Sequence, residues 1–372
     1  MINEQLLRPE ERAAYALRTL YHRYGYTPYK MSKFEEYDLY AKNKDFLISE
    51  GIITFTDTRG KLLALKPDVT LSIIKNSKDV EGGVSKVYYN ESVYRIAKGS
   101  HSFKEILQTG LECIGKIDAY QVAEVVSLAL RSLSLLSDSY MLDLSHVGLI
   151  GALIEDLGLE KKATASLLSA VEQKNSGALS ALLADGTLSS EAYALGQALL
   201  SEYATVDAAE TALDSYIKSD AAKAALDELR ELLAALEALG LSDRVRLDFS
   251  VVNHRGYYSG VVFKGYVKGI PDSVLAGGQY DRMMRKMGRR DGAIGFAVYL
   301  DTVASLGRAA KEYDADILLL KNGAAQAAVL RAVETLSANG AHVLAADAIP
   351  EGIRVRQRFI MMGEEAIEDG ND

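Results

Sequence analysis

The chain has 372 residues, 48% of them hydrophobic and 25% charged, a globular composition with length for two or three structural units. Its formal net charge of −9 argues against a surface built mainly to hold nucleic-acid phosphates. The single cysteine, Cys113, excludes an internal disulfide and a thiolate-rich zinc site. The charged N-terminus and the lack of a run of about 18 apolar residues predict no signal peptide and no membrane span, hence a cytoplasmic protein.

In chain order, Pro9 to Tyr24 predicts a helix. Pro9 suits its first position, Glu10 and Glu11 its positive end, and Gly25 its stop. Extended segments follow at Tyr26–Phe34, Ile52–Asp57 and Leu62–Leu65, the last two joined as a hairpin through Thr58-Arg59-Gly60. A helix is expected over Val69–Lys75, strands over Lys86–Arg95 and Glu105–Gly115, and a helix over Val122–Leu136. Cys113, between Leu111 and Ile114, reads as a buried strand residue.

From about Gly151 to Gly240 helix formers dominate. Leu226, Leu229, Leu232, Leu233, Leu236 and Leu239 recur at the helical period and predict an internal packing face. Strands over Arg244–Val252 and Tyr257–Val267 flank the turn Asn253-His254-Arg255-Gly256. Gly277-Gly278-Gln279-Tyr280-Asp281, a helix over Arg282–Met287 and the segment Gly292–Tyr299 come next. The tail, Ala315–Leu320, Ala324–Ala338 and His342–Ala346, alternates strand, helix, strand: a small α/β unit too short for a full sheet-and-helix layer.

Polar residues in strands that should be buried carry the most information. Gln108 and Glu112 lie four apart on one strand and therefore face one side. Burying them there is costly unless an internal hydrogen-bond network, solvent or a ligand satisfies them. Asp68, just before a helix, suits an N-cap or first-turn acid as well as a ligand. Arg282, Arg285, Lys286, Arg289 and Arg290 form a basic cluster, read first as a solvated face and otherwise as a contact for an acidic partner or a phosphate-bearing ligand.

Taken in order, these segments resemble the class II aminoacyl-tRNA synthetase core, and within it histidyl-tRNA synthetase and its paralogue family, the regulatory subunits of ATP phosphoribosyltransferase. Tyr94-Arg95 with Leu107 to Glu112 is similar to the second motif of that core, and Val252 to Phe263 to its histidine-specific loop. Ala276 to Asp281 with Ile294 to Ala297 resembles the approach to the third motif, and Lys66 to Thr70 the amino-acid-binding turn. The likeness runs from roughly Glu4 to Leu306.

The resemblance implies an α+β fold, a class II synthetase-like antiparallel sheet flanked by helices. The core would span 1–150 and 241–310, with a helical insertion over 151–240 and a truncated anticodon-binding-like α/β unit over 311–372. It implies a histidine site of Asp68, Thr70, Arg95, Gln108, Glu112, Tyr257 and Tyr258. Asp68 and Thr70 would face the α-amino group, Gln108 the amino-acid backbone, and Glu112 with Tyr258 the imidazole. Asp68 stands where the synthetases carry glutamate, which shortens the reach by one methylene.

The activating apparatus departs further from the synthetase pattern. Arg95 matches its second-motif arginine, but Ala97 replaces a glutamate, Asn253 and Thr302 replace arginines, and Tyr299 replaces a glycine, with Arg255 two residues beyond Asn253. Loss of one donor to a developing charge typically costs about 100- to 1000-fold in rate. The implied protein is a non-catalytic, histidine-binding regulatory subunit without cofactor or metal. Its partner would be the short-form catalytic subunit, within a hetero-oligomer holding a homodimer of this chain, without tRNA or membrane contact. That homodimer would form through the N-terminal helix and the following strand, where Ser32 replaces the family's proline. The alternatives are a histidine–tRNA ligase, or a paralogue that holds another small ligand.

Overall fold

Helix α1 (Pro9–Arg23) starts where expected: Arg8 N–H donates to Glu11 Oε2 at 2.8 Å, and Ala14, Leu17 and Tyr21 face the core. The computed structural model describes residues 7–47, 51–77, 82–96, 102–251, 258–304 and 313–370. They fall into two units, Met1–Gly307 and Arg308–Asp372. After α1 come β1 (Thr27–Pro28), β2 (Phe34–Glu36), α2 (Tyr37–Ala41), β3 (Thr54–Thr56), β4 (Leu62–Leu65) and α3 (Thr70–Asn76). The extended stretch expected over Tyr26–Phe34 pairs only at its two ends. Thr27 and Pro28 run parallel to the next long strand, and Phe34 opens a small sheet ordered β2-β4-β3.

The two long strands β5 (Val84–Ile96) and β6 (Phe103–Gly115) pair antiparallel along 13 residues each. Helix α4 (Ala119–Leu136) follows, its start held by Asp118 Oδ1, which accepts Tyr120 N–H at 2.9 Å. Its length and hydropathy would suffice to cross a membrane, contrary to the expectation that no such stretch exists. In the fold, its residues Val125, Val126, Leu128, Leu130 and Leu133 are buried in the main core.

Strand β7 (Tyr140–His146) leads into α5 (Val147–Glu155), α6 (Lys161–Glu172), α7 (Ser176–Ala184), α8 (Ser190–Leu200), β8 (Glu202–Tyr203), α9 (Val206–Leu213) and α10 (Asp220–Ala238). These helices share one hydrophobic cluster with α1, α4 and the sheet, so Leu153, Leu195 and Leu229 belong to the same core as Leu17 and Phe296. The α10 stripe packs inward through Leu226, Leu229, Leu232 and Leu236, whereas Leu239, past the end of the helix, is 50% exposed.

The chain returns through β9 (Val245–Asp248), β10 (Val261–Val267), β11 (Leu275–Gln279), α11 (Asp281–Lys286), β12 (Gly292–Tyr299) and α12 (Leu300–Val303). A nine-stranded sheet results, ordered β1-β5-β6-β12-β11-β10-β7-β9-β8 and mostly antiparallel, with parallel pairs at β1·β5 and β7·β9. Strands β9 and β10, expected on either side of one turn, are not neighbours: β7 lies between them. Long-range pairing, invisible to local pattern, sets this order.

The second unit holds β13 (Ala315–Leu320), α13 (Gln326–Ser337), β14 (Val343–Ala346), β15 (Val355–Met362) and β16 (Glu365–Asp369). Its sheet runs β14-β13-β15-β16, with Leu319, Ala328, Val329, Ala332 and Met361 as the core beneath α13. Strands β15 and β16 go beyond the strand-helix-strand expected of this tail and pair as a hairpin, Met362 opposite Glu365.

Candidate functional site

The site is built on β6. Gln108, Gly110 and Glu112 alternate onto one face, and β12 lies alongside with Tyr299 opposite Gln108 and Gly295 opposite Glu112. At strand rise the two polar residues stand about 13 Å apart along the strand, one at each end of a cavity. A Cβ on Gly295 would overlap Glu112 Oε2, so the missing side chain is what lets that carboxyl lie across β12. Gly110 serves the same purpose mid-floor, where a Cβ would meet Phe296 O and the Tyr89 ring.

Glu112 is 2% exposed and doubly held. Its Oε1 accepts Thr70 Oγ1–H at 2.7 Å, and its Oε2 accepts the Tyr280 hydroxyl. Burial pushes its pKa up to about 8. The two hydroxyl bonds oppose that rise, and the nearby charge of Asp68 adds to it. Thr70 reaches Glu112 because it is the first residue of α3, and α3 is fixed by Asp68, whose Oδ1 accepts Leu71 N–H at 2.9 Å. Asp68 therefore is neither N-cap nor first-turn acid: it caps the helix from one residue before the N-cap, Val69, and lines the cavity as well. Burial raises its pKa, held back by the Leu71 N–H and by Arg95. Arg95, on β5, donates from Nε to Pro67 O at 3.0 Å.

These groups enclose a cavity of about 50 Å³. Asp68, Thr70, Arg95, Gln108, Glu112 and Tyr258, six of the seven residues that the resemblance assigns to a histidine site, all line it. Tyr257 lies outside the described residues, as do Ala97, Asn253 and Arg255. Three tyrosines that were not assigned to the histidine site complete the wall: Tyr89 from β5, Tyr280 at the start of α11 and Tyr299 at the end of β12. Burial raises the phenols of Tyr89, Tyr258 and Tyr299. Tyr280 was visible in the sequence only as the residue after Gly277-Gly278-Gln279; nothing local announced its bond to Glu112. Thr302, on α12, is not among the cavity-lining residues.

The basic cluster after Tyr280 is exposed at four of its five residues, as expected of a solvated face, and departs from it at Arg289. Arg289 is half-buried and donates from Nη1 to Ile74 O at 3.1 Å and to Ser77 O at 2.8 Å, closing the C-terminal end of α3. Lys286 Nζ sits 4.8 Å over the Phe46 ring, while Arg282, Arg285 and Arg290 are exposed. Among the described residues no group of three or more His, Cys, Asp or Glu could share a metal ion.

The histidyl-tRNA synthetase family profile matches residues 2–303. The chain belongs to that family. A relative from Clostridium kluyveri named ATP phosphoribosyltransferase regulatory subunit is 28% identical over 297 residues, covering 77% of this chain and 75% of its own. A crystal structure from Bacillus halodurans C, described as an ATP phosphoribosyltransferase regulatory subunit/histidyl-tRNA synthetase, superposes with a TM-score of 0.72 at 25% identity, over 91% of this chain and 88% of that one. A solved chain from a Thermotoga maritima ATP phosphoribosyl transferase complex does so with 0.60 at 16%, over 80% and 97%, a likeness of fold. The family fold is thus the class II synthetase-like sheet described above.

Proposed function

We propose that this chain is a regulatory subunit of ATP phosphoribosyltransferase that binds free histidine in the β6 cavity and does not activate it. The observation that carries the reading is the cavity itself, with two buried acids, Asp68 and Glu112, at different points of one small polar space. Asp68 suits an ammonium, Arg95 and Gln108 suit a carboxylate, and Glu112 with Tyr258 and Tyr280 suits the two nitrogens of an imidazole. A ring N–H donated to Glu112 favours its ionised form, so binding draws its pKa down from about 8. Buried polar groups of this kind are costly when unfilled, and a ligand offsets that cost.

The names of the relatives support a partner, the catalytic subunit of ATP phosphoribosyltransferase. That it is the short form, and that the complex holds a homodimer of this chain, are proposed with it. The 151–240 helices and the C-terminal unit are proposed as the insertion and the anticodon-binding-like part of the synthetase plan. Adenylation is proposed to be absent. The synthetase arginine is replaced at Thr302 and Asn253, and developing phosphate charge needs such donors. Occupancy regulates only if histidine binds one state of the complex more tightly, with a reciprocal coupling of about 1–3 kcal/mol.

The test is co-purification with a short-form catalytic subunit, then a phosphoribosyltransferase assay with and without histidine. Complex formation with histidine-dependent inhibition is the expected result. Histidine-dependent ATP–pyrophosphate exchange by the purified chain would replace this reading with a histidine–tRNA ligase.

A further inference from the structure

We infer that Tyr299 is a size filter at one end of the cavity, so that the site takes a free α-amino acid and excludes one whose carboxyl group is extended through an ester, amide or anhydride bond. The inference rests on the proposed reading of the cavity as an amino-acid site and adds which carboxyl derivatives it admits.

Tyr299 is the last residue of β12 and pairs with Gln108, at the cavity end opposite Glu112. Its ring lines the cavity together with Arg95 and Asp68, and its hydroxyl lies within electrostatic reach of both. The backbone that carries it is pinned on both sides. Tyr299 N–H donates to Val274 O at 2.8 Å, and two residues on, Asp301 Oδ2 accepts Leu107 N–H at 2.9 Å from β6. With β12, β6 and the entry to α12 tied together, the strand cannot move outward to make room. Only a rotation of the Tyr299 side chain, which is half-buried, could.

An amino acid with its ring against Glu112 and its ammonium toward Asp68 presents its carboxylate toward Gln108, Arg95 and Tyr299. A bare carboxylate fits there and gains charge-assisted hydrogen bonds. A substituent on that carboxyl would have to occupy the volume of the phenol. A wall carried on a pinned backbone resists added bulk, as an overpacked core does.

The experiment compares three ligands by calorimetry: L-histidine, L-histidine amide and L-histidyl-glycinamide. The amide loses the carboxylate charge with almost no added size, and the glycinamide adds bulk beyond it, so size is separated from charge. The proteins are wild type, Tyr299→Phe and Tyr299→Ala, each checked for its unfolding midpoint. In wild type and Tyr299→Phe, the glycinamide is expected to bind at least about 100-fold more weakly than the amide. In Tyr299→Ala the two should bind within about threefold. Equal binding of the two in wild type, or continued exclusion by Tyr299→Ala, overturns the filter. The same series run on free and amidated forms of the other amino acids separates the two claims. An amino acid other than histidine that shows the filter sinks the histidine reading alone, and binding of no amino acid overturns both.

Discussion

Thr70 and Glu112 are 42 residues apart in sequence, yet Thr70 Oγ1 donates to Glu112 Oε1 at 2.7 Å. One is the first residue of a helix and the other lies on a central strand, so this bond ties the start of α3 to the sheet. Replacing Glu112 with alanine removes the acceptor for Thr70 and Tyr280 together. Histidine affinity should fall at least tenfold, by the roughly 1–3 kcal/mol that an unpaired buried polar group costs. Calorimetry on the isolated chain measures it, and co-purification with the catalytic subunit should be unaffected.

The same carboxyl sets a pH dependence. Its pKa is raised in the fold to about 8 from an ordinary 4.5, with burial as the main cause. A raised folded value means that the folded state binds the proton more tightly than the unfolded chain. Its contribution to stability is therefore complete below about pH 4.5 and is lost as pH rises through about 8. Urea unfolding of the ligand-free protein should show stability declining across this window. Glu112→Gln, which cannot ionise, should flatten that decline, and an unchanged slope would remove Glu112 as its source.

Gly295→Ala should be damaging although the change is a single methyl. The added Cβ would overlap Glu112 Oε2 and crowd Leu111 O across the β6·β12 pair. A cost of about 1–3 kcal/mol in denaturant unfolding is expected, typical of overpacking, together with loss of histidine binding.

Lys66 is fully buried, and its Nζ lies 2.9 Å from Glu91 Oε2. Burial lowers its pKa, and Glu91 opposes that shift. Glu91→Ala leaves the ammonium without its partner and should cost about 3–5 kcal/mol, while the double change with Lys66→Met should recover most of it. Thermal unfolding of the four proteins in the cycle measures the pairwise coupling.

Arg289→Ala should destabilise the cavity from outside. It removes the donors at the end of α3, to Ile74 O and Ser77 O. A loss of about 1.5–3 kcal/mol is expected, as for hydrogen bonds from charged groups. Histidine binding should weaken with it because α3 carries Thr70; the unfolding midpoint and calorimetric affinity report the two effects.

The legible part of the fold was the part that is local. Proline, acids and glycine around α1, the leucine period of α10 and the polar alternation of Gln108 and Glu112 each follow from the sequence over one or two turns or a few strand residues. The ordered motifs carried the cavity set from Asp68 to Tyr258, because their spacing is tied to the turns and strands that hold them. Short strands were harder: β1 has two residues and β2 three, too few for a period to show. β15 and β16 were missed because their exposure alternates poorly along the run.

By itself, then, the sequence determined the longer helices and strands of the first unit and which polar residues had to be satisfied somewhere. Only the tertiary structure decided by what. The sheet order placed β7 between β9 and β10, set Tyr299 against Gln108, brought the Tyr280 hydroxyl onto Glu112 and turned Arg289 onto the end of α3. Each of these contacts joins residues distant along the chain. Their energies come from burial and pairing that exist only once the strands have closed on one another, so no local pattern could carry them.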